Sequence, residues 1–393
     1  MKPEPSPPSS FSIAEGGPWY RLQEAVGLLK PSSPNPARRA ALSTLLTWFP
    51  LFALSAAQGL AVGHTVRVPF LYDFAAYARF LVAIPLLILA EGLIGVRVAA
   101  VAAQFGRSGL VSEADGPKYA AALERAKRMR DSTIAEVVLL ALAAGSVVLV
   151  LHEFPLGFST WRSIVSAAGQ TRTLAGWWYL VVGVALFQFL LWRWLWRLLI
   201  WYAFLWRMSR LELRLIATHP DRAAGLGFVG DAQRYFWVIV SAFSFTSAGV
   251  LGDDIVYAGA PLADFKFVIV GYVIVVLAAF LLPLTMFTPA MTRARLKSLH
   301  EYGAFAILHN RLFDEKWLQG GHTEGEVPLG VPEISSLADL GGACDLLYRM
   351  RPVPFDPADA LALGLAALVP LTPLALTVLP APKMLDLILK MLV

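Results

Sequence analysis

The feature that most constrains this chain is a series of stretches, each about twenty residues long, with almost nothing polar in them. As helices they are long enough to cross a hydrocarbon core of roughly 30 Å. Six are read near Ala41–Val62, Ala78–Val96, Ser132–Leu151, Trp177–Trp206, Tyr235–Leu251 and Phe267–Pro289. In lipid the backbone must satisfy its own polar groups, which makes such runs helices. Charged residues are 16% of the chain, against about 25% in soluble domains. The predicted fold is all-α: a polytopic transmembrane helix bundle of six or seven spans with a small helical cytoplasmic domain.

The seventh span is the open point. Ala360–Leu379 is apolar but holds Pro370 and Pro373, and proline inside a helix removes a hydrogen bond and kinks or breaks it. The segment reads either as a span or as two half-helices turning at Leu371–Thr372. Breaks are also expected at Pro85 and Pro283. The last eleven residues, KMLDLILKMLV, are amphipathic and suited to an interface.

The chain then divides into a tail over 1–40, a transmembrane bundle over 41–290, a helical segment over 291–359 and a broken hydrophobic segment over 360–393. The tail opens on MKPEPSPPSS, which reads as disordered and lacks the apolar centre of a signal peptide. A loop helix is expected over 113–131, with Gly116–Asp131 continuing into the third span. In 291–359, Leu296, Leu299, Tyr302, Phe305, Leu308, Leu312 and Trp317 follow helical spacing. Gly320–Gly321 breaks that helix, and a second runs from Ile334 to Tyr348.

Lys and Arg set the orientation, because they concentrate in cytoplasmic loops. The tail carries Lys2, Arg21, Lys30, Arg38 and Arg39. The connection after the second span carries Arg107, Lys118, Arg125, Lys127, Arg128 and Arg130, and the one after the fourth carries Arg207, Arg210, Arg214, Arg222 and Arg234. Further basic residues follow the sixth span, from Arg293 to Arg351. The alternate connections hold only Arg67, Arg162, Arg172 and Lys266. This places the amino terminus in the cytoplasm. The net charge of +5 is a loop asymmetry, not a nucleic-acid footprint. The single cysteine, Cys344, forms no intrachain disulfide and no thiolate metal cluster.

Several segments carry a likeness. They are ARFLVAIPLLILAE at 78–91, GWWYLVVGVALFQFLLWRWLWRLLIW at 176–201, THPDRAAGLGFVG at 218–230, FDEKWLQGG at 313–321, ISSLADL at 334–340 and MRPVPF at 350–355. In this order they resemble a family of uncharacterised bacterial multispan membrane proteins. The resemblance spans nearly the whole chain and implies a multi-pass protein of the bacterial inner membrane. GGACDLL at 341–347 replaces the more polar stretch expected after SLADL.

Function has to come from individual residues. Arg193 and Arg197 lie one turn apart on one face of the fourth span. An intramembrane arginine costs at least about 2.5 kcal/mol on insertion scales, so the pair calls for partners. Glu91 and Glu136 sit at matching depth, and the four are expected to face one another in the bundle interior. Such a cluster reads as a register-fixing clamp, as the lining of a cytoplasm-facing vestibule that selects ions, or as arginines snorkelling to the interface. Trp192 and Trp196 flank it, by packing or by cation–π contact.

His219, Asp221 and Arg222 lie in THPDRAAGLGF, which reads as a Gly-containing turn and alternatively as a loop for phosphate; it lacks the Lys-Ser/Thr ending of a P-loop. His64, Asp73, His152, Glu153, Asp253, Asp254 and Asp264 fall in the alternate loops. They read as solvated loop ends, as an acidic mouth for cations, or as metal ligands, for which the spacing is wrong. No catalytic motif, metal site or cofactor motif is seen. The leading function class is an ion channel or transporter. A membrane-embedded enzyme acting on a lipid-linked or phosphorylated substrate, and a non-catalytic scaffold or sensor, are the alternatives. Expected partners are the lipid bilayer, a second copy of the chain, and a small ion or anionic solute.

Overall fold

The computed structural model describes residues 11–28, 35–151, 158–167, 169–323, 325–327 and 331–377. The helices in chain order are α1 (Pro18–Ala25), α2 (Pro36–Ala57), α3 (Phe74–Arg107), α4 (Gly116–Arg130), α5 (Thr133–Leu151), α6 (Leu174–Ser209), α7 (Gly227–Ala258), α8 (Leu262–Leu318), α9 (Pro332–Arg349) and α10 (Pro357–Leu376). A two-stranded antiparallel hairpin, β1 (Ser163–Ser166) and β2 (Gly169–Arg172), joins α5 to α6. Among the described residues, α2, α3, α5, α6, α7, α8 and α10 are long and apolar enough to cross a membrane. The all-α bundle expected from the apolar runs is the fold observed, and the segment with Pro370 is its seventh candidate span. The residues of KMLDLILKMLV lie outside the described residues.

Sequence accounts for where these helices start and where they deform. α2 begins at Asn35-Pro36: the Asn35 side chain accepts from Arg38 N at 3.1 Å, and Pro36 occupies a first-turn position whose missing N–H costs nothing. Pro85 cannot donate to residue 81 and its ring crowds that carbonyl, and the helix widens into a π segment over Ala78–Ala83. Pro283 and Pro370 lie instead in 3₁₀ segments, Leu282–Phe287 and Val369–Leu371. The proline breaks therefore appear as local changes of winding, not as chain reversals.

Two expected boundaries differ. The loop helix does not continue into the third span. α4 stops at Arg130, Ser132 Oγ accepts from Ala135 N at 3.2 Å, and α5 starts afresh at Thr133, because a serine cap competes with helix continuation. α4 folds back to pack on α6. Conversely, nothing separates the sixth span from the polar segment after it. α8 runs on through Met291 to Leu318, about 85 Å at 1.5 Å per residue. Its far half pairs with α9 through Lys316 to Glu333 at 2.7 Å and Arg295 to the Tyr348 carbonyl at 2.9 Å.

Burial separates the spans. Half of the apolar window of α3, α6 and α7 is buried, but only 11% of α5 and 17% of α8. Ile134 at 79% and Leu149 at 73% exposure make α5 a face that only lipid can solvate. The inner helices pack through α3 against α2 and α6, and through α7 against the start of α3 and against α10. Successive spans alternate in direction, so Arg39, Glu91, Glu136, Arg193 and Arg197 share one half of the bundle, here called the amino-terminal side. Asp73, Arg162 and Asp253 share the opposite side.

The start of the chain is bound into the amino-terminal side. Residues 1–10 lie outside the described residues, but Phe11 and Ile13 are buried and Phe11 stacks on Phe204. The tail reading did not anticipate this insertion, since three apolar residues, Phe11, Ile13 and Ala14, make no periodic pattern.

Candidate functional site

The four intramembrane charges of the sequence come together. Arg197 Nη1 lies 2.9 Å and Arg193 Nη1 3.5 Å from Glu91 Oε1. Arg193 Nε lies 3.8 Å from Glu136 Oε1, an ion-pair separation without a hydrogen bond. A fifth member was missed: Arg39 Nη2 sits 2.6 Å from Glu91 Oε2. Its position at the start of α2 reads in sequence as a topogenic loop charge, and only the approach of α2 to α3 carries it inward. Three guanidiniums thus converge on Glu91, with Glu136 beside them. Glu91 and Arg193 are each 6% exposed and Arg197 3%.

The amino-terminal segment closes this cluster. The Ala14 carbonyl accepts from Arg197 Nη2 at 3.4 Å, and the Ser12 carbonyl accepts from Arg130 Nη1 at 2.7 Å. Ala14 packs on Gly95, where a built Cβ would come within 2.8 Å of the Ala14 Cβ. The cluster is thus a buried set of ion pairs among α2, α3, α5 and α6, covered by the amino-terminal segment. Arg197 also lies 4.8 Å from the Trp194 ring. Trp192 and Trp196 pack toward Leu139 and Ala143 of α5 instead, with Trp192 Nε1 donating to Ser146 Oγ at 3.2 Å.

The THPDRAAGLGF loop is a joint as well. Asp221 Oδ1 accepts from Ala223 N at 2.8 Å and Gly225 N at 3.1 Å, and Oδ2 from Gly227 N at 2.8 Å. Those bonds outweigh burial, which alone would raise the pKa, and hold the Asp221 carboxyl below its ordinary value. They also hold Arg222 and Ala224 in the left-handed region, at φ 55° and 57°. His219 Nδ1 sits 2.9 Å from Asp221 Oδ1. Arg351 of the MRPVPF segment donates its backbone N to the Arg222 carbonyl and Nη2 to the Asp221 carbonyl, both at 2.8 Å. Two motifs that looked independent in sequence form one connection between α6, α7 and α10.

On the opposite side the acidic residues are not all solvated loop ends. His64 is an exposed loop position and Asp264 is exposed in the first turn of α8. His152 and Glu153 lie outside the described residues. Asp73 is 1% exposed; it caps α3 by accepting from Ala76 N at 2.6 Å and takes the Trp161 indole N–H at 2.7 Å. Asp253 reaches across from α7 to accept from Phe74 N at 2.9 Å and Ala75 N at 3.2 Å. Both carboxylates thus meet the free N–H groups and positive dipole end of α3.

Beside them is a cavity of about 330 Å³, lined among others by Arg79, Thr160, Arg162, Tyr179, Gln188, Asp253, Asp254 and Tyr257. The Tyr179 hydroxyl hydrogen-bonds Arg79 and lies 3.5 Å from Arg162 Nη1. Arg162 pairs with Asp73 at 3.4 Å. Burial disfavours the Arg162 charge, but Asp73, Tyr179 and Asp253 outweigh it and keep its pKa above the usual arginine value. Arg79 and Asp254 have no oppositely charged partner among the described residues.

The helices around this cavity share a deformation. Arg79 lies in the π segment Ala78–Ala83, Tyr179 in a second, Tyr179–Val184, and Asp254 in a third, Asp254–Ala258. A π turn inserts one extra residue and re-aims the side chains around it, and such turns concentrate at functional sites. Arg79 escaped the sequence reading because an arginine at the edge of an apolar run looks like an interfacial anchor. The available signal was Pro85, six residues on.

Between the two charged centres the bundle is apolar. Phe80, Ile84 and Leu87 of α3 are fully buried, and Leu190 and Trp194 of α6 are 4% and 1% exposed. Arg79 and Glu91, twelve residues apart on α3, are separated by roughly 18 Å along the axis.

Seven helices of spanning length and composition around one buried core define the class: this is a multi-pass integral membrane protein. No protein-family model, curated protein or solved structure matches the chain.

Proposed function

We propose that this protein is a transporter for a small charged solute, set in the bacterial inner membrane with its amino terminus in the cytoplasm. The observation that carries the reading is the polar cavity on one side of α3 and α6, closed beneath by an apolar layer, with a second charged centre beyond it. A continuous ion channel needs a polar path through that layer. A carrier needs the layer intact, with solute admitted from one side at a time. The helix deformations that bound the cavity are the natural points of movement, because π and 3₁₀ segments have weaker hydrogen-bond ladders than α-helix. The distribution of Lys and Arg supports the orientation.

The test is flux in proteoliposomes. Saturable, concentration-dependent uptake of radiolabelled solute, lowered at least tenfold by Arg79→Ala, supports the carrier reading. Ohmic single-channel current in planar bilayers overturns it in favour of a channel. Solute binding without any flux overturns it in favour of the enzyme or scaffold alternatives. Cys344, the single cysteine and partly exposed on α9, reports sidedness: a membrane-impermeant maleimide should label it in inverted vesicles and not in intact cells.

A further inference from the structure

We infer that the cavity beside Asp73 binds a zwitterion, a small molecule carrying both a carboxylate and a protonated amine, of which a neutral α-amino acid is the simplest case. The argument is a matter of unmatched charge. Among the described residues Arg79 meets a phenol and two aromatic faces, with its guanidinium carbon 5.7 Å from the Tyr179 ring centroid and 5.4 Å from that of Phe187, and no carboxylate. Its Nε is buried without a hydrogen-bond partner. Asp254 lines the same cavity and accepts no side-chain hydrogen bond and no cation among the described residues. The two do not pair with each other. Arg79 and Asp254 thus line one cavity without a countercharge among the described residues, and a ligand that carries both charges would match both.

The other charges there are already engaged. Arg162 is held by Asp73, and Asp253 accepts from two backbone N–H groups at the start of α3, so each already has a partner within the chain. A simple anion would satisfy Arg79 and leave Asp254 facing it; a simple cation would do the reverse. A zwitterion places its carboxylate at the Arg79–Tyr179 end and its ammonium at Asp254. Tyr257 and Phe187 leave apolar wall for a modest side chain. The inference rests on the transport reading only in taking the cavity as the place where solute enters, and binding tests it separately from flux.

The experiment is equilibrium binding to the purified full-length protein in detergent, followed by thermal stabilisation and by displacement of radiolabelled L-alanine. The probes are L-alanine and L-leucine, with propionate and 4-methylpentanoate lacking the amine, and ethylamine and 3-methylbutylamine lacking the carboxylate. The expected result is binding of at least one amino acid at least tenfold tighter than either matched fragment. Arg79→Ala and Asp254→Asn should each weaken it tenfold or more, while both variants keep the wild-type elution profile. Equal binding of amino acid and carboxylate fragment, or an unchanged affinity in Asp254→Asn, overturns the inference, as does the absence of binding at millimolar concentration. Should Arg79→Ala fail to fold, Asp254→Asn, which is nearly isosteric, decides alone. Amino-acid binding without flux would sustain this inference and defeat the transport reading.

Discussion

Glu91 and Arg79 lie on the same helix, about 18 Å apart, and their surroundings are opposites. Glu91 is saturated: three arginines converge on it, and the chain's own amino-terminal segment is laid over them. Arg79 has a phenol beside it, a cavity in front of it and no oppositely charged partner among the described residues. The sequence reading put the functional weight on the first centre because intramembrane charge is rare and expensive. The comparison teaches that expense alone does not separate a clamp from a site. What separates them is whether the charges have already been answered from within the chain.

The largest effect expected is at the saturated centre. Glu91→Gln leaves Arg39, Arg193 and Arg197 buried with only Glu136 nearby, and breaking a buried pair in this way costs about 3–5 kcal/mol. The variant should lose monodisperse protein on size exclusion and unfold at markedly lower temperature. Arg79→Ala should keep its stability within about 1 kcal/mol while losing solute uptake, since it removes a charge that no acidic group among the described residues answers. If Glu91→Gln folds like wild type and Arg79→Ala does not, the assignment of clamp and site is reversed.

An intermediate effect is expected at Gly176, at the start of α6. A Cβ there would overlap the Arg162 carbonyl. Gly176→Ala must push the β1–β2 hairpin off α6, at a cost of about 1–3 kcal/mol for overpacking. Arg162 would move with it, so ligand affinity should fall several-fold while the Glu91 cluster stays intact. Unchanged affinity would show that the hairpin does not position the cavity.

The smallest effect concerns pH. The Asp221 carboxyl is held below its ordinary value of 3.8 by three backbone N–H groups. A depressed carboxylate contributes stability that is present above its unfolded pKa and is lost as pH falls through the lower folded value. The loop joint should therefore be constant above about pH 4. Thermal unfolding of wild type and Asp221→Asn should differ by about 1–2 kcal/mol at pH 8, and the difference should shrink as pH falls below about 4. No difference at pH 8 would break this picture.

Much of this was legible in the residues. Apolar runs located the spans, and the turn spacing of Arg193 and Arg197 demanded acidic partners at the depth where Glu91 and Glu136 lie. Pro85, Pro283 and Pro370 marked where winding changes. The limits have physical causes too. Arg39 looked like a loop charge, since a sequence does not show how closely the start of one helix approaches the middle of another. Asp253 looked solvated because capping an α3 end from α7 joins residues 178 or more positions apart, and Asp73 because its Trp161 partner lies 88 positions away.

The residues alone dictate the solvent, the helices and the need for compensation, because hydrocarbon exacts its cost residue by residue along the chain. Which charges are compensated follows from how the helices pack. Compensation depends on separations of a few ångströms between helices, and these follow from packing and from π turns that rotate Arg79, Tyr179 and Asp254 toward a common space.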